Sequence, residues 1–246
     1  MIPKILHHIW VGPDPFPAEF AAYRESWKKH HPSWEFRFWS EDNLPEELRR
    51  EEVRERLRTP AERADILRLE VLYQEGGVYV DTDFECLRPI DDLIEGADFF
   101  VADLKPGRPN NALIGSAPGH EILDRGIREA VFREFIGYDK NGTGPLAFNR
   151  ILKDYRDKIL VFPPPAFYPN TPAERDEAVA IHHAARSWQN AEGFKAATLR
   201  AEQRLAETQR ELEKTRKRLR AAERRLEDAG IRPRFARIRA LLGGDD

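Results

Sequence analysis

The stretch Arg63-Ala-Asp-Ile-Leu-Arg-Leu-Glu-Val-Leu-Tyr-Gln-Glu-Gly-Gly-Val-Tyr-Val-Asp-Thr-Asp83 reads as a helix, a glycine stop and a short buried strand with two carboxylates at its end. Ile66, Leu69 and Leu72 or Tyr73 recur at helical spacing. Gly76 and Gly77 end the helix, since glycine takes the left-handed cap without steric penalty, and Val78-Tyr79-Val80 favours strand. Side chains alternate along a strand, which predicts that Asp81 and Asp83 leave on one face. Two hard oxygen ligands at an exposed strand end suit Mg²⁺ or Mn²⁺, which keep positions open for phosphate oxygens and water. Taken alone, Asp-x-Asp also describes two surface aspartates in a turn, so the surroundings decide.

Asp65 and Arg68 stand three apart on the helix and share a face, and the helix packs back on the strand it feeds. Thr59 as cap and Pro60 at the first helical position, where a missing N–H costs nothing, set where the helix begins and so where Asp65 and Arg68 point. Upstream, Ile2-Pro3-Lys4-Ile5-Leu6-His7-His8-Ile9-Trp10 contains an apolar, β-prone strand that runs into the proline-rich loop 11–17. Downstream, 178–181 forms a last short strand into Ile181-His182-His183-Ala184-Ala185-Arg186-Ser187-Trp188. A neutral imidazole there is a good third ligand for Mn²⁺ beside two carboxylates.

These three motifs, in this order and spanning residues 2 to 188, resemble the glycosyltransferases that carry the Asp-x-Asp sugar-binding region. That is a glycosyltransferase family 32-like group containing initiating mannosyltransferases, capsular polysaccharide transferases and the clostridial glucosylating toxins. The resemblance implies an α/β fold of the GT-A type, a mixed central sheet flanked by helices that binds a nucleotide sugar. It implies Asp65, Arg68, Asp81 and Asp83 as the catalytic set. Asp81, Asp83 and His182 would hold Mn²⁺ (or Mg²⁺), with His182 favoured over His183. Donor binding would draw on His8, Trp10, Asp65, Arg68, Asp81, Ser187 and Trp188, with Trp10 against the nucleobase and Trp188 closing over a phosphate. Asn111 and Thr143 fall where the family places acceptor-side residues, although a turn asparagine and a plain helix start also describe them. Ala184-Ala185-Arg186 departs from the family by lacking the aromatic and the glycine often found there.

Composition bounds the alternatives. The 246 residues allow one domain of ordinary size over 1–192, a charged helix over 193–229 and a tail over 230–246. From Gly193 onward there are 15 Lys and Arg against 9 Asp and Glu, which leaves 25 against 34 before it, so the body is acidic. That excludes nucleic acid as the main partner, because phosphate neutralisation needs a cationic surface. No apolar run reaches the roughly 20 residues that cross a bilayer, and nothing at Met1 reads as a signal peptide, so a cytoplasmic location is expected. The single cysteine, Cys86, reads as a small buried hydrophobe.

Between the motifs, 19–30 is an amphipathic helix with Phe20, Tyr23 and Trp27 inward, and 34–39 alternates as a strand. Charge-rich 42–58 reads as a helical insertion. A polar loop is expected over 107–111, a helix from about Gly119 to Phe135, another from Thr143-Gly144-Pro145, and no regular structure in the proline-rich 161–172. In the tail, Leu205, Leu212, Leu219 and Leu226 repeat every seven residues above a thin companion row of Thr and Ala. Residues 199–229 therefore suit self-association, pairing with another helix, or a single charged helix. The basic amphipathic 231–242 suits anionic lipid at the inner face of the membrane or a disordered tail.

The functional expectation is a metal-dependent, retaining glycosyltransferase moving a sugar from a UDP- or GDP-sugar to a saccharide or cell-surface glycan. Retention follows from the resemblance. A phosphatase with an aspartate nucleophile also opens with Asp-x-Asp, but Glu85 stands where it has Thr or Val. A non-catalytic nucleotide-sugar-binding adaptor presenting the coiled coil is the other alternative.

Overall fold

The computed structural model describes residues 1–12, 14–49, 60–136, 143–185, 208–221 and 225, and the chain divides into two compact units, Met1–Trp188 and Gln189–Asp246. In the first unit, β1 (Ile5–Ile9), α1 (Ala18–His30), β2 (Glu35–Trp39), α2 (Pro60–Glu75), β3 (Gly77–Val80) and β4 (Phe84–Cys86) follow one another. After them come β5 (Phe99–Lys105), β6 (Arg108–Ser116), α3 (Glu121–Ile136), α4 (Pro145–Leu152), β7 (Leu160–Phe162), α5 (Pro164–Phe167), α6 (Pro172–Glu177) and β8 (Ala180–His182). Six strands form one sheet in the order β2-β1-β3-β6-β5-β7, and β4 pairs with β8 in a second, two-stranded sheet. The large sheet is mixed: β1 runs parallel to β2 and β3, while β6 is antiparallel to both β3 and β5.

Strand alternation divides the core between the two faces. Val78, Val80, Phe100 and Ala102 join Leu6, Trp27 and Phe84 on one side, whereas Tyr79, Phe99, Val101 and Ile114 join Leu67, Leu72 and Ile122 on the other. Ile66 through Leu72 are all buried, so α2 is enclosed by the core and its two charged members, Arg68 and Glu70, are enclosed with it. Gly115 is needed where β6 passes β5, since a Cβ there would lie 2.0 Å from the Phe100 ring.

Four local expectations are corrected. Residues 41–49 form turns and bends: the Asn43 side chain accepts from Ser40 N–H and donates to Phe38 C=O, a local alternative to helix, and Pro45 follows; 50–59 lie outside the described residues. The expected polar loop at 107–111 is only the tip of a hairpin, and Asn110 and Asn111 are buried members of β6. The proline-rich crossing holds β7, α5 and α6, with Thr171 and Glu174 closing a reciprocal cap on α6. Finally, Asp81 and Asp83 flank a turn between β3 and β4, which closes through Phe84 N–H to Asp81 C=O, rather than extending the strand.

In the second unit, 208–221 is helical and exposed throughout, with Leu212 51% and Leu219 48% accessible. Leu205, Leu226 and the segment 231–242 lie outside the described residues. Among the described residues no helix is long and apolar enough to cross a membrane.

Candidate active site

The site begins at the two glycines. Gly76 has φ of 67°, and its carbonyl accepts from His7 Nε2–H at 2.9 Å, since His7 Nδ1 accepts the Trp39 indole N–H; Gly77 has φ of 99°, and a Cβ on it would lie 2.5 Å from the Ile5 carbonyl. Glycine lets α2 turn directly into a strand pressed against β1. Asp81 N–H then donates to Ala112 C=O at 2.8 Å, and the turn sends both aspartates beyond the C-terminal edge of β3.

Arg68 connects the helix to the turn. Its Nη1 donates to the Asn111 carbonyl at 2.7 Å and lies 3.2 Å from Asp81 Oδ1, its Nη2 lies 3.1 Å from Asp65 Oδ1, and its Nε donates to Ala64 C=O. The guanidinium stands 4.5 Å over the Tyr79 ring. Tyr79 in turn donates its hydroxyl to Asp81 Oδ1 at 2.6 Å. Asp65 receives the Asn111 amide on Oδ1 at 2.9 Å and the Thr143 hydroxyl on Oδ2 at 3.1 Å. Burial pushes the Asp65 carboxyl above its ordinary range, reinforced by Asp81 and opposed by Arg68, Asn111 and Thr143. Asn111 and Thr143 thus stand behind Asp65, holding its orientation.

The second half of the site hangs from β4 and β8. The Trp27 indole N–H donates to Phe84 C=O at 2.9 Å, and His183 N–H donates to Asp83 C=O at 3.0 Å, in the register that pairs His182 with Phe84. His182 Nε2 lies 3.2 Å from Asp83 Oδ1, and Ala185 N–H donates to Asp83 Oδ2 at 2.8 Å. The imidazole is stacked on Phe84 at 4.5 Å and meets Tyr168 edge-on at 5.5 Å. Burial alone would lift the Asp83 carboxyl, but the bond with His182 and the Ala185 amide bring it below the ordinary value. Burial likewise lowers His182, and Asp83 more than reverses that. Ala184 has φ of 48°, the left-handed conformation that a glycine would adopt without strain and that costs a residue with a Cβ about 1 kcal/mol.

Ligand atoms of Asp81, Asp83 and His182 lie within 4.8 Å of one another. An ion with bonds of about 2.1 Å holds its ligands roughly 3 to 4 Å apart, so a small contraction would seat one. The bonds from Tyr79 and Arg68 both fall on Asp81 Oδ1, which leaves Oδ2 as the atom to offer a cation. Two carboxylates and one imidazole fit Mn²⁺ or Mg²⁺.

Other sequence candidates lie differently. His8 is 1% exposed, with Nδ1 2.9 Å from the Val80 carbonyl, a contact that joins β1 to β3, while its Nε2 is buried without a hydrogen-bond partner. Trp10 sits at the end of β1, edge-on to Phe16 and Phe20, with its N–H bonded to Asp14 C=O. Ser187 and Trp188 are outside the described residues. His183 turns away from the cluster to Glu85 and stacks on Tyr23 at 4.4 Å, so Tyr23 lies beside the site rather than in the core. Two tyrosines escaped the sequence reading. Tyr79 was legible, since alternation puts it on the face of Asp81; Tyr168, inside the proline-rich crossing, carried no signal.

The architecture and the site define a class. Residues 17–100 match the glycosyltransferase sugar-binding region containing the DXD motif, and the sheet is of the GT-A type. The chain belongs to the glycosyltransferases that carry this region. It is 30% identical over 166 residues to a glycosyltransferase of Acanthamoeba polyphaga mimivirus, covering 63% of this chain and 66% of that one. It is 29% identical over 166 residues to a mannosyl phosphorylinositol ceramide synthase of Saccharomyces cerevisiae, covering 63% and 43%. The chain thus spans about two-thirds of the viral relative and under half of the yeast one. The solved PaToxG glycosyltransferase matches with a TM-score of 0.50 at 19% identity, over 64% of this chain and 70% of that one, a likeness of fold.

Proposed function

We propose that the first unit transfers a hexose, with retention, from a UDP- or GDP-sugar to a hydroxyl of a saccharide or other glycan acceptor, using Mn²⁺ or Mg²⁺. The observation that carries the reading is Arg68, which touches Asp65 and Asp81 at once and so joins a sugar-sized polar clamp to a cation-sized ligand set. A divalent ion bound there would neutralise charge developing on the leaving nucleoside diphosphate. Asp81, Asp83 and His182 would hold it. Asp65 and Arg68 would bind the hydroxyls of the donor sugar and fix its orientation toward the acceptor. Both Asp65 oxygens are already engaged by Arg68, Asn111 and Thr143, which supports attack from the leaving-group side over a covalent intermediate on Asp65.

The yeast relative is named a mannosyl phosphorylinositol ceramide synthase, so GDP-mannose belongs at the head of the donor panel. The test is slow, Mn²⁺-dependent hydrolysis of each of a set of UDP- and GDP-sugars in the absence of acceptor. Hydrolysis of one donor, abolished by chelation, is expected. Binding without turnover under every acceptor tried would favour the adaptor alternative.

A further inference from the structure

Tyr168 follows α5 and is 6% exposed, yet its hydroxyl is a buried polar atom with no hydrogen-bond partner. A buried phenol normally finds a partner, because leaving one unmade forfeits the full cost of removing it from water. Its position is set firmly: the ring meets Phe84 edge-on at 5.6 Å and His182 edge-on at 5.5 Å, and Phe167 beside it is fully buried. The charges that act on the phenol are Asp81, Arg68 and Asp83. The ring, set against His182, therefore brings its hydroxyl to the wall of the aspartate turn, although Tyr168 follows Asp83 by about 85 residues in the chain.

Resting on the transferase reading above, we propose that Tyr168 is a substrate-contacting residue whose hydroxyl donates a hydrogen bond to an oxygen of the transferred sugar. A phenol keeps its proton at neutral pH, so it serves as a neutral donor. A sugar is the fitting partner because its ring and hydroxyl oxygens accept from a neutral donor. The charges felt by the phenol include Arg68, one of the pair assigned to the sugar, together with Asp81 and Asp83 of the metal-ligand set. The polar vacancy is then filled by the ligand, as a specific site fills it, and a donor lacking that oxygen would leave it unpaired.

Tyr168→Phe in the full-length chain removes only the hydroxyl and retains the ring against Phe84 and His182. Calorimetry with Mn²⁺ would compare UDP and GDP with the sugar nucleotide that wild type binds best from the donor panel. The expected result is unchanged affinity for the free nucleoside diphosphate, about tenfold weaker affinity for the sugar nucleotide, and a thermal midpoint without ligand that is no lower than wild type. Equal affinity of the variant and wild type for the sugar nucleotide overturns the assignment. So does a parallel loss for the free diphosphate, or a lower midpoint without ligand, which would mark a structural bond. A wild-type chain that binds free UDP or GDP but no sugar nucleotide, or binds neither, overturns the transferase reading itself and the assignment with it.

Discussion

His182 Nε2 lies 3.2 Å from Asp83 Oδ1, and the contact exists because β8 pairs antiparallel with β4 in the register that sets His182 against Phe84. A one-residue slip would bring His183 to that place and turn His182 away. The second, two-stranded sheet is thus what selects the metal-ligand candidate from two adjacent histidines.

Asp83→Ala removes one of three ligands and leaves a divalent charge poorly bridged to pyrophosphate. Mn²⁺-dependent binding of UDP or GDP should disappear in calorimetry. His182→Ala should weaken it by roughly ten- to a hundredfold. His183→Ala, whose ring turns toward Glu85 and Tyr23, should leave it unchanged; loss comparable to that in His182→Ala would show the wrong histidine has been chosen.

Asp65→Asn preserves the shape of the clamp and removes its charge. Free nucleoside diphosphate should bind as in wild type while the sugar nucleotide binds about tenfold more weakly, the effect of one lost polar contact. Arg68→Ala is a different experiment, because the guanidinium is buried against both Asp65 and Asp81. Stranding two carboxylates should cost roughly 3 kcal/mol in urea unfolding. Wild-type stability in that variant would contradict the pairing.

His7 and His8 give the fold a pH dependence apart from the metal ligands. Burial lowers each to about 4, against the opposing bonds to the Gly76 and Val80 carbonyls. Unfolded histidine titrates near about 6.5, so between that value and about 4 the unfolded chain binds more protons. Stability should therefore rise with pH across this window and be lost as pH falls through it, by at most about 3 kcal/mol per histidine. Urea midpoints at intervals over the window should fall on acidification, and less steeply in His8→Leu. A flat profile would refute the argument.

Truncation before Gly193 should leave donor hydrolysis nearly intact and change the oligomeric state, since the 208–221 helix leaves Leu212 and Leu219 about half exposed at heptad spacing. Sedimentation of the full chain and the truncated chain would compare them. A full-length monomer that also ignores anionic vesicles would leave the tail with neither proposed role.

By itself the sequence determined the fold class and the chemistry of the central motif. Glycine at 76 and 77, alternation in 78–80 and helical spacing from Ile66 to Leu72 are local facts that survive into the structure because backbone conformation and apolar period act over a few residues. Tertiary structure alone decided what those side chains touch. Nothing near Asn111 says that its amide will hold Asp65; that follows from β6 running antiparallel beside β3, a pairing between residues more than thirty positions apart. That His8 is buried and reaches the Val80 carbonyl was likewise not legible, because strand alternation gives the face but not what covers it. Tyr168 enters the site only because the proline-rich crossing folds into α5 and carries it against His182. Local sequence carries propensity and period, whereas a binding wall is assembled from segments whose meeting is set by register and by packing across the whole sheet.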